Sequence, residues 1–486
     1  MITRRLLLAA LLAPLLQPMA TAAPASPAPT PSAAPALPSL SGFTWSVTDE
    51  TATLTLHLPQ AVVFQERGTP EAWQLFLPGL KADLNLETLY DDVLPALKSH
   101  QAPEGTTIEI PWKYWCPTEY ALEDEARKMA ITFRKRYKQV RQDALAPGIV
   151  HEHRRSADEH GPLNVNVLRI DPKQPGVKLM PGMAKGGSYF SREPVSAITQ
   201  RYGAVAGING SYFSTKTGEP LGLLMIDGQL VSSPLYNRAA LAIADRGEML
   251  IGNTQLSTRL TLPTGEAYDF DGINQKRGLN RMVLYTAHYG ASTFSPAGGK
   301  DYSLLPDGTI YQISAANAPI PPGGYVISAH GQAAQWLDRY AKVGTKIQLK
   351  SALAEFWPGV KHAISGGPTL LRGGEVSISA LEEQFKPDVT YGIAPRTAIG
   401  LTKAGEVLLV TVDGRQPRFS RGLSLAGLAA LMRDLGAVEA MNMDGGGSTA
   451  MAIGPVVVNK PSDGSERAVN NALLVFAAGA GQLGKK

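Results

Sequence analysis

Asn442-Met443-Asp444-Gly445-Gly446-Gly447-Ser448-Thr449 is the stretch in which residue types and spacing are most suited to chemistry. Asp444 puts a carboxylate just after the apolar run 437–443. Three glycines follow, and glycine lets a backbone reach φ > 0 and bring its N–H groups close to a ligand. Successive N–H groups in such a turn form a concavity for an anion. Gly445, Gly446 and Gly447 therefore offer an oxyanion or phosphate cradle, and Ser448 and Thr449 add two hydroxyls. A plain glycine-rich turn is the competing reading. Four further places repeat the theme of a strand running into a polar turn. Asn209 follows the run 204–208, and Gly366-Gly367 follows 362–365. Arg396 precedes 397–400, and Asp413-Gly414-Arg415 follows 406–412.

The elements around these residues bring some of them together. The run 406–412 reads as a strand ending at Asp413. Ser424 is a suitable helix N-cap, and Leu425, Leu428, Met432 and Leu435 form a helical apolar stripe that Gly436 ends. A second strand over 437–443 ends at Asp444. Strand, helix and strand have the length of a parallel crossover unit. If the two strands are parallel, Asp413, Arg415 and Asp444 emerge at one carboxyl edge, where open α/β sheets favour ligands. Earlier, Asp227-Gly228 marks a hairpin turn. The expected fold class is α+β: a mixed-sheet catalytic domain with this strand-helix-strand unit near the C-terminus, preceded by a small β-rich domain.

The motifs Ile208-Asn209-Gly210-Ser211-Tyr212-Phe213, Ile364-Ser365-Gly366-Gly367-Pro368, Pro395-Arg396-Thr397-Ala398-Ile399-Gly400, Val412-Asp413-Gly414-Arg415 and the 442–449 loop together resemble the phosphodiester glycosidase family. The resemblance covers roughly residues 160–478. It implies a hydrolase that cleaves the bond between a sugar's anomeric carbon and a phosphodiester. Asn209, Arg396, Asp413, Arg415 and Asp444 are the positions carried over by motif match. Such a site needs cations on phosphate and a carboxylate near the anomeric carbon. Arg396 and Arg415 suit the first task, because a guanidinium grips phosphate oxygens in a fork. Asp413 and Asp444 suit the second, since glycosidases commonly use two carboxyl groups. The leaving group is a phosphate monoester, with a second pKa of about 6, so strong acid assistance is not required. The resemblance implies catalytic roles for Asp444, Asp413, Arg396 and Asn209. It implies substrate contacts for Arg415, Gly366, Gly367, Gly445, Gly446, Gly447, Ser448 and Thr449. No cofactor is required, and a divalent cation shared by Asp413 and Asp444 is neither demanded nor ruled out by the sequence.

The chain has 486 residues and a net charge of +4. That length calls for two or three domains, and the mild charge lacks the concentrated basic face of a nucleic-acid binder. Arg4-Arg5, the apolar run 6–16 and Ala20-Thr21-Ala22 read as a secretory signal over 1–22. Residues 23–41 read as a Pro/Ala-rich linker. Residues 42–150 read as a β-rich accessory domain, and 151–480 as the catalytic domain. No other apolar run approaches transmembrane length. The single cysteine, Cys116, allows no intrachain disulfide and reads as core packing. Leu122, Ala126, Met129, Ala130, Phe133 and Tyr137 fit one face of a helix over 119–142, whose many Lys and Arg residues would contact an anionic cell-wall polymer or lie as a solvated face. Three further readings are weaker: Ser448 as a nucleophile with His362 as base, His151-Glu152-His153 as a metal fragment, and a non-catalytic envelope protein binding anionic cell-wall glycan. The expected setting is secreted, periplasmic or cell envelope.

Overall fold

The computed structural model describes residues 37–187, 189–353 and 359–478. The signal sequence and most of the linker lie outside the described residues. The fold is mostly β, with 46% strand and 8% helix in several antiparallel and mixed sheets, so its helical share is smaller than an α+β domain implies.

Two four-stranded antiparallel sheets come first, and between them they pack a core of their own. Trp73 meets Phe133 edge-on at 5.0 Å within it, and Cys116 is fully buried there. The helix expected over 119–142 is absent. Thr118–Glu123 and Lys128–Arg134 form a hairpin instead, turning at Asp124, Glu125 and Ala126, all with positive φ. Met129, Ile131 and Phe133 point inward at alternate positions. Apolar residues at these positions satisfy helical and strand spacing alike. Pairing with Thr51–His57, together with the β-branched Ile131 and Thr132, favours the strand. The basic residues are not massed on a face, because Lys128 and Arg134 pair across the hairpin with Glu123 and Glu119 at 2.6 and 2.5 Å.

The sheet that organises the site has eight strands. Their order is Glu375–Val376, Thr369–Arg372, Ala437–Asn442, Arg396–Thr402, Val407–Val412, Gly161–Ile170, Ile149–Asp158 and Tyr137–Ala146. The domain division expected at 150 falls inside its strand Ile149–Asp158. Val407–Val412 is buried at every residue. Val407 and Leu409 enter one core, while Leu408, Val410 and Val412 enter another with the helix Leu425–Asp434. Burial on both faces explains why the strand is continuously apolar rather than alternating. Ser424 caps the helix by accepting from the Gly427 N–H. Val407–Val412 and Ala437–Asn442 do not pair. Arg396–Thr402 lies between them, antiparallel to both, so the outer two run parallel and end at the same edge.

Two five-stranded sheets complete the surroundings. In one, Ala206–Asn209 lies between Asn471–Phe476 and Met451–Ile453. In the other, Val360–Ser365 runs into Gly366 and Gly367. The hairpin at Asp227-Gly228 forms there, with φ of 49° and 77°. Residues 256–353 add two more sheets around a separate core.

Candidate active site

Asp444 stands at the centre. It is only partly exposed, and the Gly445 N–H donates to its Oδ1 at 3.0 Å. Burial pushes its carboxyl up to about 6, against the lowering pull of the Ser448 hydroxyl, the Gly445 N–H and the Arg467 charge. Asn209 ties the loop down: its Nδ2 donates to the Asp444 carbonyl at 2.7 Å, and its Oδ1 accepts from Thr397 Oγ1 and the Ala450 N–H. Asn209 is fully buried with both ends of its amide in use. The residue expected to be catalytic thus spends its amide on the Asp444 loop, Thr397 and Ala450.

Asp413, also expected to be catalytic, is enclosed by donors. Its carboxylate is 1% exposed. Asn164 Nδ2 donates to Oδ2 at 2.7 Å, Asn459 Nδ2 to Oδ1 at 2.9 Å, and the Lys460 N–H to both oxygens at 3.0 and 3.1 Å. Asn459 also donates to the Thr449 carbonyl. Asp413 therefore anchors the far end of the glycine loop and has no free oxygen to offer a sugar. The segment His151-Glu152-His153 supports this anchor. His153 Nε2 bonds Asn164 Oδ1, His151 Nε2 bonds Asn166, and Glu152 pairs with Arg154 and Arg169. Among the described residues no three His, Cys, Asp or Glu side chains come together to hold a metal ion.

The glycine loop also differs from the expected cradle. Gly446 N–H donates to the Pro395 carbonyl, Ser448 N–H to Gly445, and Thr449 N–H to Gly446. Of the three glycines, only Gly447 has an N–H without a hydrogen-bond partner among the described residues. Ser448 and Thr449 are each 1% exposed, so their hydroxyls face inward. Ser448 Oγ interacts with Asp444 and accepts from Arg467 Nη1 at 3.4 Å. His362 lies in another sheet, where its Nδ1 accepts from the Asp227 N–H. A Ser448–His362 couple does not form.

Arginines lie around the loop. Arg396 is 3% exposed and donates Nε to the Leu423 carbonyl at 2.9 Å and Nη2 to Val389 and Gly392 at 3.1 and 2.5 Å. Its Nη1 has no partner among the described residues. Arg415 is exposed at φ 60°, and its guanidinium makes no hydrogen bond among the described residues. It lies over the loop: a Cβ on Gly446 would sit 3.2 Å from its Nη2. Sequence reasoning missed three neighbours. Tyr212 donates to the Gly367 carbonyl at 3.1 Å and accepts from Asn442 Nδ2 at 2.8 Å, with its hydroxyl pushed up first by burial and then by the Asp444 charge. Arg238 stacks 4.0 Å from the Phe385 ring centre and 5.5 Å from that of Tyr212. Arg467 pairs with Asp463 at 2.6 Å and covers Gly447, where a Cβ would fall 2.0 Å from its Nη2. Tyr212 carried a signal through its motif. Arg238 and Arg467 lie in polar turns with no pattern to mark them. Gly366 and Gly367 complete the floor, with Gly366 donating to Ala239 and Gly367 to Asn442.

Known proteins resemble this chain over part of its length. Residues 300–476 match the family model "Phosphodiester glycosidase", a span that holds every motif above except the one over 208–213. A SPbeta prophage-derived uncharacterized protein YomE of Bacillus subtilis is 40% identical over 81 residues, covering 17% of this chain and 12% of that protein. Mouse N-acetylglucosamine-1-phosphodiester alpha-N-acetylglucosaminidase is 35% identical over 109 residues, 21% of either chain. The chain thus matches about a fifth or less of the length of these relatives. Among solved structures, a hypothetical protein from Synechocystis aligns with TM-score 0.65 at 21% identity over 90% of this chain and 80% of its own. A Burkholderia pseudomallei protein described as exported aligns with TM-score 0.57 at 20% identity over 89% and 99%. These two show the fold. Over residues 300–476 the chain is thus similar to the phosphodiester glycosidase family, and most of the motif set lies in that stretch.

Proposed function

We propose that the chain is an exported hydrolase of a sugar-1-phosphodiester, acting on envelope or exopolysaccharide glycans. The observation that carries this reading is the convergence of one poised carboxylate, Asp444, with the free guanidinium edges of Arg396 and Arg415. A phosphodiester bears a single spread charge, which suits two arginines that are not already neutralised by carboxylates. The Tyr212 and Phe385 rings, 5.4 Å apart, give an apolar wall beside them. Water adds to the anomeric carbon, the C1–O bond breaks, and the phosphate leaves with its bridging oxygen. That leaving group is stable without a strong acid, so Asp444 acts as the carboxylate, facing the positive charge that develops at the anomeric carbon. Export is supported by the charged, apolar and small-residue pattern of residues 1–22. Among the described residues, no helix is long and apolar enough to cross a membrane. The non-catalytic alternative loses its motive, because the basic helix behind it is a strand hairpin with paired charges.

The test is turnover of UDP-N-acetylglucosamine and of a synthetic sugar-1-phosphodiester by purified protein. Release of free sugar that disappears in Asp444→Asn is expected. Absence of turnover on every sugar-1-phosphodiester offered contradicts the reading.

A further inference from the structure

Between the N-terminal sheets and the loop after Val407–Val412 lies a cavity of about 400 Å³. Its floor holds Lys135, 6% exposed, whose ammonium donates to Asp91 Oδ2 at 2.5 Å. That is its one hydrogen bond among the described residues. An ammonium has three N–H donors, so two donors of a buried cation are left for whatever fills the space. Asp91 is spoken for, since its Oδ1 accepts from the Val93 and Leu94 N–H groups. At the rim, Tyr90 is 93% exposed and sits at φ 50°, a backbone conformation uncommon for a bulky residue. Four acidic side chains, exposed Asp92 among them, and four Lys or Arg side chains line the cavity, so neither sign of charge dominates.

A balanced lining of donors and acceptors beside an open aromatic ring suits an uncharged, polyhydroxylated ligand better than a polyanion. The same cavity touches the catalytic loop. Pro417 and Arg421 form part of its wall. Arg421 is fixed by Asp158 and the Gly161 carbonyl, and its own carbonyl accepts from the Arg415 N–H at 3.3 Å. One short loop therefore presents Arg421 to the cavity and Arg415 to Gly446. We propose that this cavity is a second saccharide subsite, holding a neutral sugar unit of the glycan whose phosphodiester lies at Asp444. The link to the same glycan rests on the proposed function; the saccharide site itself does not.

Isothermal titration of the full chain with neutral oligomers of N-acetylglucosamine and of glucose tests it. Saturable binding to one of the two oligomers is expected, insensitive to salt and unchanged in Asp444→Asn. Tyr90→Ala and Asp92→Asn should each weaken it by tenfold or more with an unchanged melting temperature. No saturable binding in the millimolar range, or equal binding by Tyr90→Ala, overturns the proposal. Oligomer binding without turnover of any sugar-1-phosphodiester would keep the cavity and remove the catalytic reading.

Discussion

Four charged residues at the site behave differently although the sequence presents them alike. Asp444 has a carboxyl raised to about 6 by burial. As the ionised form is the working one, kcat/KM should fall with an acid limb near pH 6, read from a pH–rate profile of the wild type. The sign for stability is opposite. The folded state binds this proton more tightly than the unfolded chain, so folding stability drops as pH rises through the window from the ordinary carboxylate range to about 6, and stays lower above it. Asp444→Asn should therefore abolish turnover yet raise the neutral-pH melting temperature, because the buried amide carries no charge to desolvate. Asp413→Asn should do the reverse of that on stability. An amide in place of a carboxylate sets an NH₂ against the Asn164, Asn459 and Lys460 donors, at a cost of about 2–4 kcal/mol by denaturant unfolding. Arg415 is exposed and unpaired, so Arg415→Ala should raise KM about tenfold or more with little change in stability. Arg396→Ala should lower both turnover and stability, because the phosphate loses a cation and three backbone carbonyls lose their donor.

The elements show which parts of the site could be read from sequence. Asp413 and Asp444 share a sheet edge because both of their strands are antiparallel to Arg396–Thr402. Strand ends, the Ser424 cap and the Gly436 stop were legible, since each depends on local chemistry. The place of Arg396–Thr402 between them was not, because pairing between distant strands leaves no local trace. The glycine loop was legible as a bend but not as a closed one. Most of its N–H groups are consumed by the Pro395 carbonyl, which arrives with Arg396–Thr402, and by neighbours within the loop. The hairpin over 118–134 was misread for a related reason: its helical spacing was real, and long-range pairing decided the outcome. At this scale, Gly447→Ala should cost activity more than folding. Its Cβ would displace the Arg467–Asp463 pair, which is partly exposed and free to move. Intact circular dichroism with a turnover loss of tenfold or more is the expected pattern.

Across the whole molecule, the site lies where three sheets meet, and each sheet contributes a turn: Asn209 with Tyr212, Gly366 with Gly367, and Arg396 with Asp413 and Asp444. Packing these sheets on one core makes the site depend on distant burial. Leu409→Ala, in the strand buried on both faces, should cost about 2–5 kcal/mol and lower the fraction of active protein without altering KM. The N-terminal sheets reach the same loop through Arg136, which donates to the Asp158 carbonyl, beside the Arg421 pair. The central claim is that bond breakage occurs at the anomeric carbon, and isotope placement tests it most directly. Hydrolysis of a sugar-1-phosphodiester in ¹⁸O-water should put the label on the C1 hydroxyl of the released sugar and none in the phosphate. Label in the phosphate would mean attack at phosphorus and would contradict the account.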